Sequence, residues 1–144
     1  MSKTSYRENI AKNLVKVLKA IPMVKHVTRD VFEPDEISDA QIPAVLVQSG
    51  SELKSDIVMG YQREGTIEYI LTGFVKGKYL DSARNNLLDD IEEKLYEDVS
   101  RGGYAIDTLV TEVNTDEGVL FPLGAIQIIV RIRYIHHKGD LDKG

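Results

Sequence analysis

GAIQIIVRIRYIHH, residues 124–137, is the stretch on which the reading of the fold turns. Ile126, Ile128, Val130, Ile132 and Tyr134 occupy every second position, with Gln127, Ile129, Arg131 and Arg133 between them. Successive strand side chains point to opposite faces, so a period of two predicts a strand with one apolar and one largely polar face. The apolar face needs a cover; the other meets water or a partner.

Working outward, TIEYILTGFVKG (66–77) repeats the pattern, with Ile67, Tyr69, Leu71 and Val75 on one side and Glu68 and Thr72 on the other. AVLVQSGSEL (44–53) opens with four apolar residues and predicts a buried strand, and DTLVTEVN (107–114) predicts another. VKHVTRDVF (24–32) alternates weakly and is a short strand; EPDEISDAQIP after it is an acidic surface loop. Two helices supply the cover. The first spans 5–21: Ser5 and Glu8 make a capping box, Ile10, Leu14, Val17, Leu18 and Ile21 form one stripe, and Pro22 stops the ladder. The second spans 79–98 with Leu80, Ala83, Leu87, Leu88, Ile91 and Leu95 as its stripe, and Arg101-Gly102-Gly103 ends it. The order predicts an α+β fold, a mostly antiparallel four- to five-stranded sheet with both helices packed on one face. Residues 1–137 form the single domain and 138–144 a polar tail.

At 144 residues the chain suits one domain. With 42% hydrophobic and 28% charged residues it reads as an ordinary globular protein. The absence of cysteine excludes disulfides, thiolate nucleophiles and Cys-ligated zinc. MSKTSYRENIAKNL holds no apolar core of signal-peptide length, and no apolar run is long enough for a membrane span, so assembly in the cytoplasm is expected. The net charge is -5, and no basic run is denser than KGK at 76–78. Gripping phosphates needs a basic patch, so sequence-specific nucleic-acid binding is disfavoured. A channel through which DNA slides without sticking suits a weakly acidic protein.

The catalytic motifs are missing. The glycines form neither a phosphate loop nor a dinucleotide fingerprint. Serines 49, 51 and 55 lack a nucleophile elbow. Asp89, Glu93 and Glu97 are spaced one helical turn apart, yet they lie opposite the apolar stripe, where nothing would shift a pKa. His136 and His137 are neighbours, and neighbours on a continuing strand diverge. A shared ion would need a turn there and carboxylates such as Asp140 and Asp142. No cofactor or metal is expected.

KSDIVMGYQREG (54–65) shows no clean period, although Ile57, Val58, Met59 and Tyr61 are apolar. Two readings stand: a twisted hairpin extending the flanking strands, or a loop that buries these residues on a neighbouring subunit. The interface candidates are therefore Glu52, Ile57, Val58, Met59, Tyr61 and Arg63, joined by Glu68, Arg131 and Arg133 on the polar sheet face.

The layout resembles the tail terminator (tail completion, minor tail protein U-like) family of long-tailed bacteriophages. The resemblance runs through a helix closed by proline, "IPAVLV" with Glu52 soon after, an unpatterned segment, "VKGKYLD" leading into an acidic helix broken at Gly-Gly, and "LFPLGAIQIIVRIRY" before a polar tail. It implies a virion neck protein: a hexameric ring that caps the tail tube, halts its polymerisation and joins the head connector, with tube and connector proteins as partners and DNA passing through. It implies no catalytic residues. The alternatives from other classes are a small metal- or ligand-dependent enzyme, or a dimeric binding module, using His136 and His137.

Overall fold

The computed structural model describes residues 5–58 and 62–137, with backbone alone at 56–58, 62, 136 and 137. The elements follow in the order α1 (Tyr6–Lys19), β1 (His26–Thr28), β2 (Ala44–Val58), β3 (Gln62–Lys76), α2 (Leu80–Tyr96), β4 (Asp107–Thr115) and β5 (Leu123–His137). The strands make one sheet ordered β1-β2-β3-β5-β4. β1 is parallel to β2, and every other neighbouring pair is antiparallel. The α+β architecture read from the periodicities is the one the chain adopts.

Both helices cover the face that carries Ile67, Tyr69, Leu71 and Val75 of β3 and Ile126, Ile128, Val130, Ile132 and Tyr134 of β5. α1 buries Ile10, Leu14 and Leu18 and lies over β1 and β2; α2 buries Leu87, Ile91 and Leu95 and lies over β3, β5 and β4. Gly73 sets the approach of α2. A Cβ there would sit 2.6 Å from Leu87 Cδ2, so only a glycine lets the helix rest this close to the strand.

Three local readings need correction. The Ser5 hydroxyl accepts the Glu8 N–H at 3.2 Å, but the Glu8 carboxylate does not return to the cap. It is taken by Arg29, at 2.7 and 3.1 Å, so a tertiary ion pair replaces half of the capping box. The strand expected over 24–32 shrinks to His26–Thr28, because only that part lies beside β2. In the α2 stripe Leu88 is only partly buried and Arg84 is buried instead.

Ile128 and Leu87 are fully buried, and truncating either to alanine is expected to cost about 2–5 kcal/mol in chemical denaturation. Leu88→Ala should cost clearly less. Equal costs at 87 and 88 would contradict the placement of α2.

Candidate functional site

β2 and β3 form one long hairpin, so the hairpin reading of 54–65 holds for the described residues, while Met59 and Tyr61 lie outside them. The period fails because β2 bulges between Ser49 and Glu52 and again between Asp56 and Val58. One extra residue shifts every later side chain to the other face. Ser49 pairs with Tyr69 on the helix side, and after the bulge Glu52 pairs with Ile67 on that same side. Leu53 is thereby turned onto the helix-free face, where it is 76% exposed.

Glu52 thus enters the sheltered side of the sheet, with its side chain only 7% exposed. Its carboxylate accepts the Tyr134 hydroxyl at 2.9 Å, with Arg7 Nε at 3.0 Å and Lys54 Nζ at 3.7 Å. Tyr134 lies across Gly65, its register partner on β3, where a Cβ would fall 2.4 Å from the ring. The Tyr69 hydroxyl donates to the Arg7 carbonyl at 3.0 Å, and Tyr6 packs edge-on against Tyr134. Burial pushes the Tyr69 phenol up to about 12 against the pull of Arg7 and Arg29. Burial also raises Tyr134, helped by its hydrogen bond to Glu52. This cluster fastens the start of α1 to the hairpin arm and presents no activated nucleophile.

The helix-free face carries the other candidates. Arg131 faces its register partner Glu68 at 3.3 Å, and Arg133 reaches Glu64 at 3.0 Å. Both arginines of this face are therefore matched by carboxylates, with Ile70, Ile129 and Leu109 on the same side. Arg63 lies half-buried on β3. Ile57 and Val58 belong to the backbone of β2, near the hairpin tip. β5 continues through His136 and His137, which pair with Arg63 and Gln62. Asp140 and Asp142 lie outside the described residues, among which no group of three metal-binding side chains occurs.

At the opposite end of β3 and β5 stands a surface that the sequence did not announce. The β4–β5 loop displays Val119 and Phe121, 83% and 67% exposed, and Gly77 beside Tyr79 donates to the Pro122 carbonyl. The loop is tied to the body of the fold. Asp116 accepts the N–H groups of Leu120 and Ala125 and pairs with buried Arg84 of α2 at 3.0 Å. Burial raises the Asp116 pKa, but those N–H groups and Arg84 outweigh it and hold the carboxyl below its ordinary value. An aspartate in a loop and an arginine in a helical stripe give no sequence signal that they will meet. A cleft of about 350 Å³ lies between Pro22 and the Asp90–Glu97 side of α2, and its lining offers no hydroxyl, thiol or imidazole. Asp89, Glu93 and Glu97 are solvent-exposed, as their spacing on the helix predicts.

The profile of a family described as Bacteriophage Tail Tube Terminator Protein matches residues 4–143. No curated protein matches the chain. Among solved structures, a chain described as "Virion of native gene transfer agent (GTA) particle" superposes with a TM-score of 0.45 at 8% identity, over 92% of each chain.

The buried phenols make a pH prediction. A tyrosine whose pKa is raised on folding adds stability that is present below its ordinary value of 10.0 and is lost as pH climbs toward about 12. Alkaline titration followed by tyrosinate absorbance should therefore show Tyr69 and Tyr134 ionising last, together with unfolding. Tyr69→Phe should be less stable at neutral pH by about 1 kcal/mol, for its lost hydrogen bond, yet lose less between pH 10 and 12. All tyrosines ionising freely at pH 10 in folded protein would refute the buried cluster.

Proposed function

The chain belongs to the Bacteriophage Tail Tube Terminator Protein family, and from that membership we propose that it is the ring subunit that caps the tail tube. It is a structural protein of the phage virion, placed in the tail and neck, and not an enzyme. The ring, by this reading a hexamer, ends polymerisation of the tube protein and offers the surface to which the head connector joins.

The observation that carries the reading is the amount of built surface left uncovered by the monomer. Among the described residues one sheet face bears no α-helix, with Phe32 on Phe74 and Asp39 on Lys76 covering only one end of it, and the hairpin arm reaches beyond the core. β3 spans about 45 Å at about 3.3 Å per residue, long enough to present separate partner surfaces at its two ends. The tied loop with Val119 and Phe121 suits an axial partner, tube or connector, because a pre-ordered apolar group loses little entropy on docking. The hairpin segment 54–65, with Ile57, Val58, Met59 and Tyr61, docks on the neighbouring subunit, and Glu68, Arg131 and Arg133 fix register on the open face. A net charge of -5 with no basic run denser than KGK at 76–78 suits a channel that DNA passes without specific binding.

Replacing Ile57 and Met59 with aspartate should abolish ring formation or tube capping while leaving the circular-dichroism spectrum and monomer stability unchanged. Normal assembly by that variant would move the interface elsewhere. The rival reading through the histidines has its own test: His136→Ala with His137→Ala should leave folding and assembly unchanged. Stoichiometric zinc in the purified protein, lost in the double variant, would overturn the structural reading.

A further inference from the structure

The two flanks of the subunit are opposite in charge, and both end in a free strand edge. On the β1 side, residues 7–30 hold Arg7, Lys12, Lys16, Lys19, Lys25 and Arg29 against only Glu8 and Asp30. Glu8 is already taken by Arg29 and Arg7 sits beside Glu52, which leaves Lys12, Lys16, Lys19 and Lys25 exposed. On the β4 side there is no Lys or Arg between Gly102 and Val130, while Asp107, Glu112 and Glu117 occur there, Asp116 being already taken by Arg84. α2 adds Asp89 and Glu92. Helical spacing puts Glu92 on the same flank of α2 as Tyr96, whose hydroxyl accepts the Val110 N–H of β4.

The β4 flank is also apolar. Tyr96, Ile106, Leu109 and Val113 are all exposed there. The two edges are antiparallel to each other, since β2 and β5 run together and β4 opposes β5. Simple continuation of the sheet is nonetheless blocked. β4 bulges between Val110 and Glu112, Tyr96 occupies the Val110 N–H, and β2 bulges between Ser49 and Glu52. Contact between these flanks must be made by side chains.

We infer that subunits join head to tail through these flanks. The acidic, apolar β4–α2 flank of one copy seats on the basic α1–β1 flank of a second copy, beside the outer edge of its hairpin arm. Different patches meeting in this way generate a ring, whereas a two-fold dimer would set like charge against like. The proposal rests on the ring reading and gives it a specific contact. Long-range attraction between the flanks selects the partner and the register, and the apolar residues supply the buried area.

Charge reversal tests it, read by mass under native conditions and by capping of purified tail tubes. The reversed pairs are Glu92→Lys with Glu112→Lys on one flank, and Lys12→Glu with Lys19→Glu on the other. Each double variant alone is expected to stay monomeric with an unchanged unfolding midpoint, because its flanks then carry like charge. Mixing the two variants, or combining all four changes in one chain, should restore the ring, alternating in the mixture. If both double variants assemble like the wild type, or if neither mixing nor combination restores assembly, the flank contact is wrong while the ring reading stands. If the wild type itself forms no ring in solution or on tube ends, the ring reading falls and this contact with it.

Discussion

The ladder between β3 and β5 is the constraint on which the rest of the molecule depends. It runs from Gln62 opposite His137 to Lys76 opposite Leu123 without a bulge, whereas β2–β3 and β4–β5 are each interrupted. Because side-chain direction has a period of two, an unbroken register fixes which residues of both strands face the helices along the whole length. Tyr134 falls on Gly65, Ile128 faces Leu71, and Arg131 faces Glu68 only in this register. A slip of β3 by one residue would put Glu68 under the helices and Ile67 in water, leaving Arg131 without its partner.

On that spine, a few buried polar groups decide where the less regular parts sit. Arg84 and Asp116 tie the β4–β5 loop to α2. Arg101 is wholly buried and donates to the carbonyls of Leu95 and Asp98, closing the end of α2 from below. Desolvation pulls its guanidinium below the ordinary value, partly offset by Asp98. Glu52 and Tyr134 fasten the arm to the start of α1. Arg84 and Asp116 form a buried charged pair, and removing one partner of such a pair costs about 3–5 kcal/mol.

Ties of this kind agree with a structural role. The groups with the largest upward shifts, Tyr69 and Tyr134, are buried phenols that hold α1 to the hairpin arm. What the chain offers to its surroundings is surface: a charge-matched sheet face, an extended arm, an exposed apolar loop and two flanks of opposite sign.

The sequence by itself determined the elements that rest on clean periodicity. The alternation at 124–137 and 66–77 marked the spine strands, and the α1 and α2 stripes marked both helices and their common cover. These signals are local, because a period of two or 3.6 is written into neighbouring residues. The family resemblance was legible for a related reason, since it rests on the order of such elements. Tertiary structure decided everything that breaks a period. The arm at 54–65 looked patternless because bulges shifted its faces, and a bulge is fixed by the partner strand, not by the bulged one. Glu8 turned from its cap to Arg29, and Arg84 entered the core to meet Asp116, because the partners lie 21 and 32 residues away. An ion pair between distant residues leaves no trace in either local stretch, and it forms only when the sheet brings the two together.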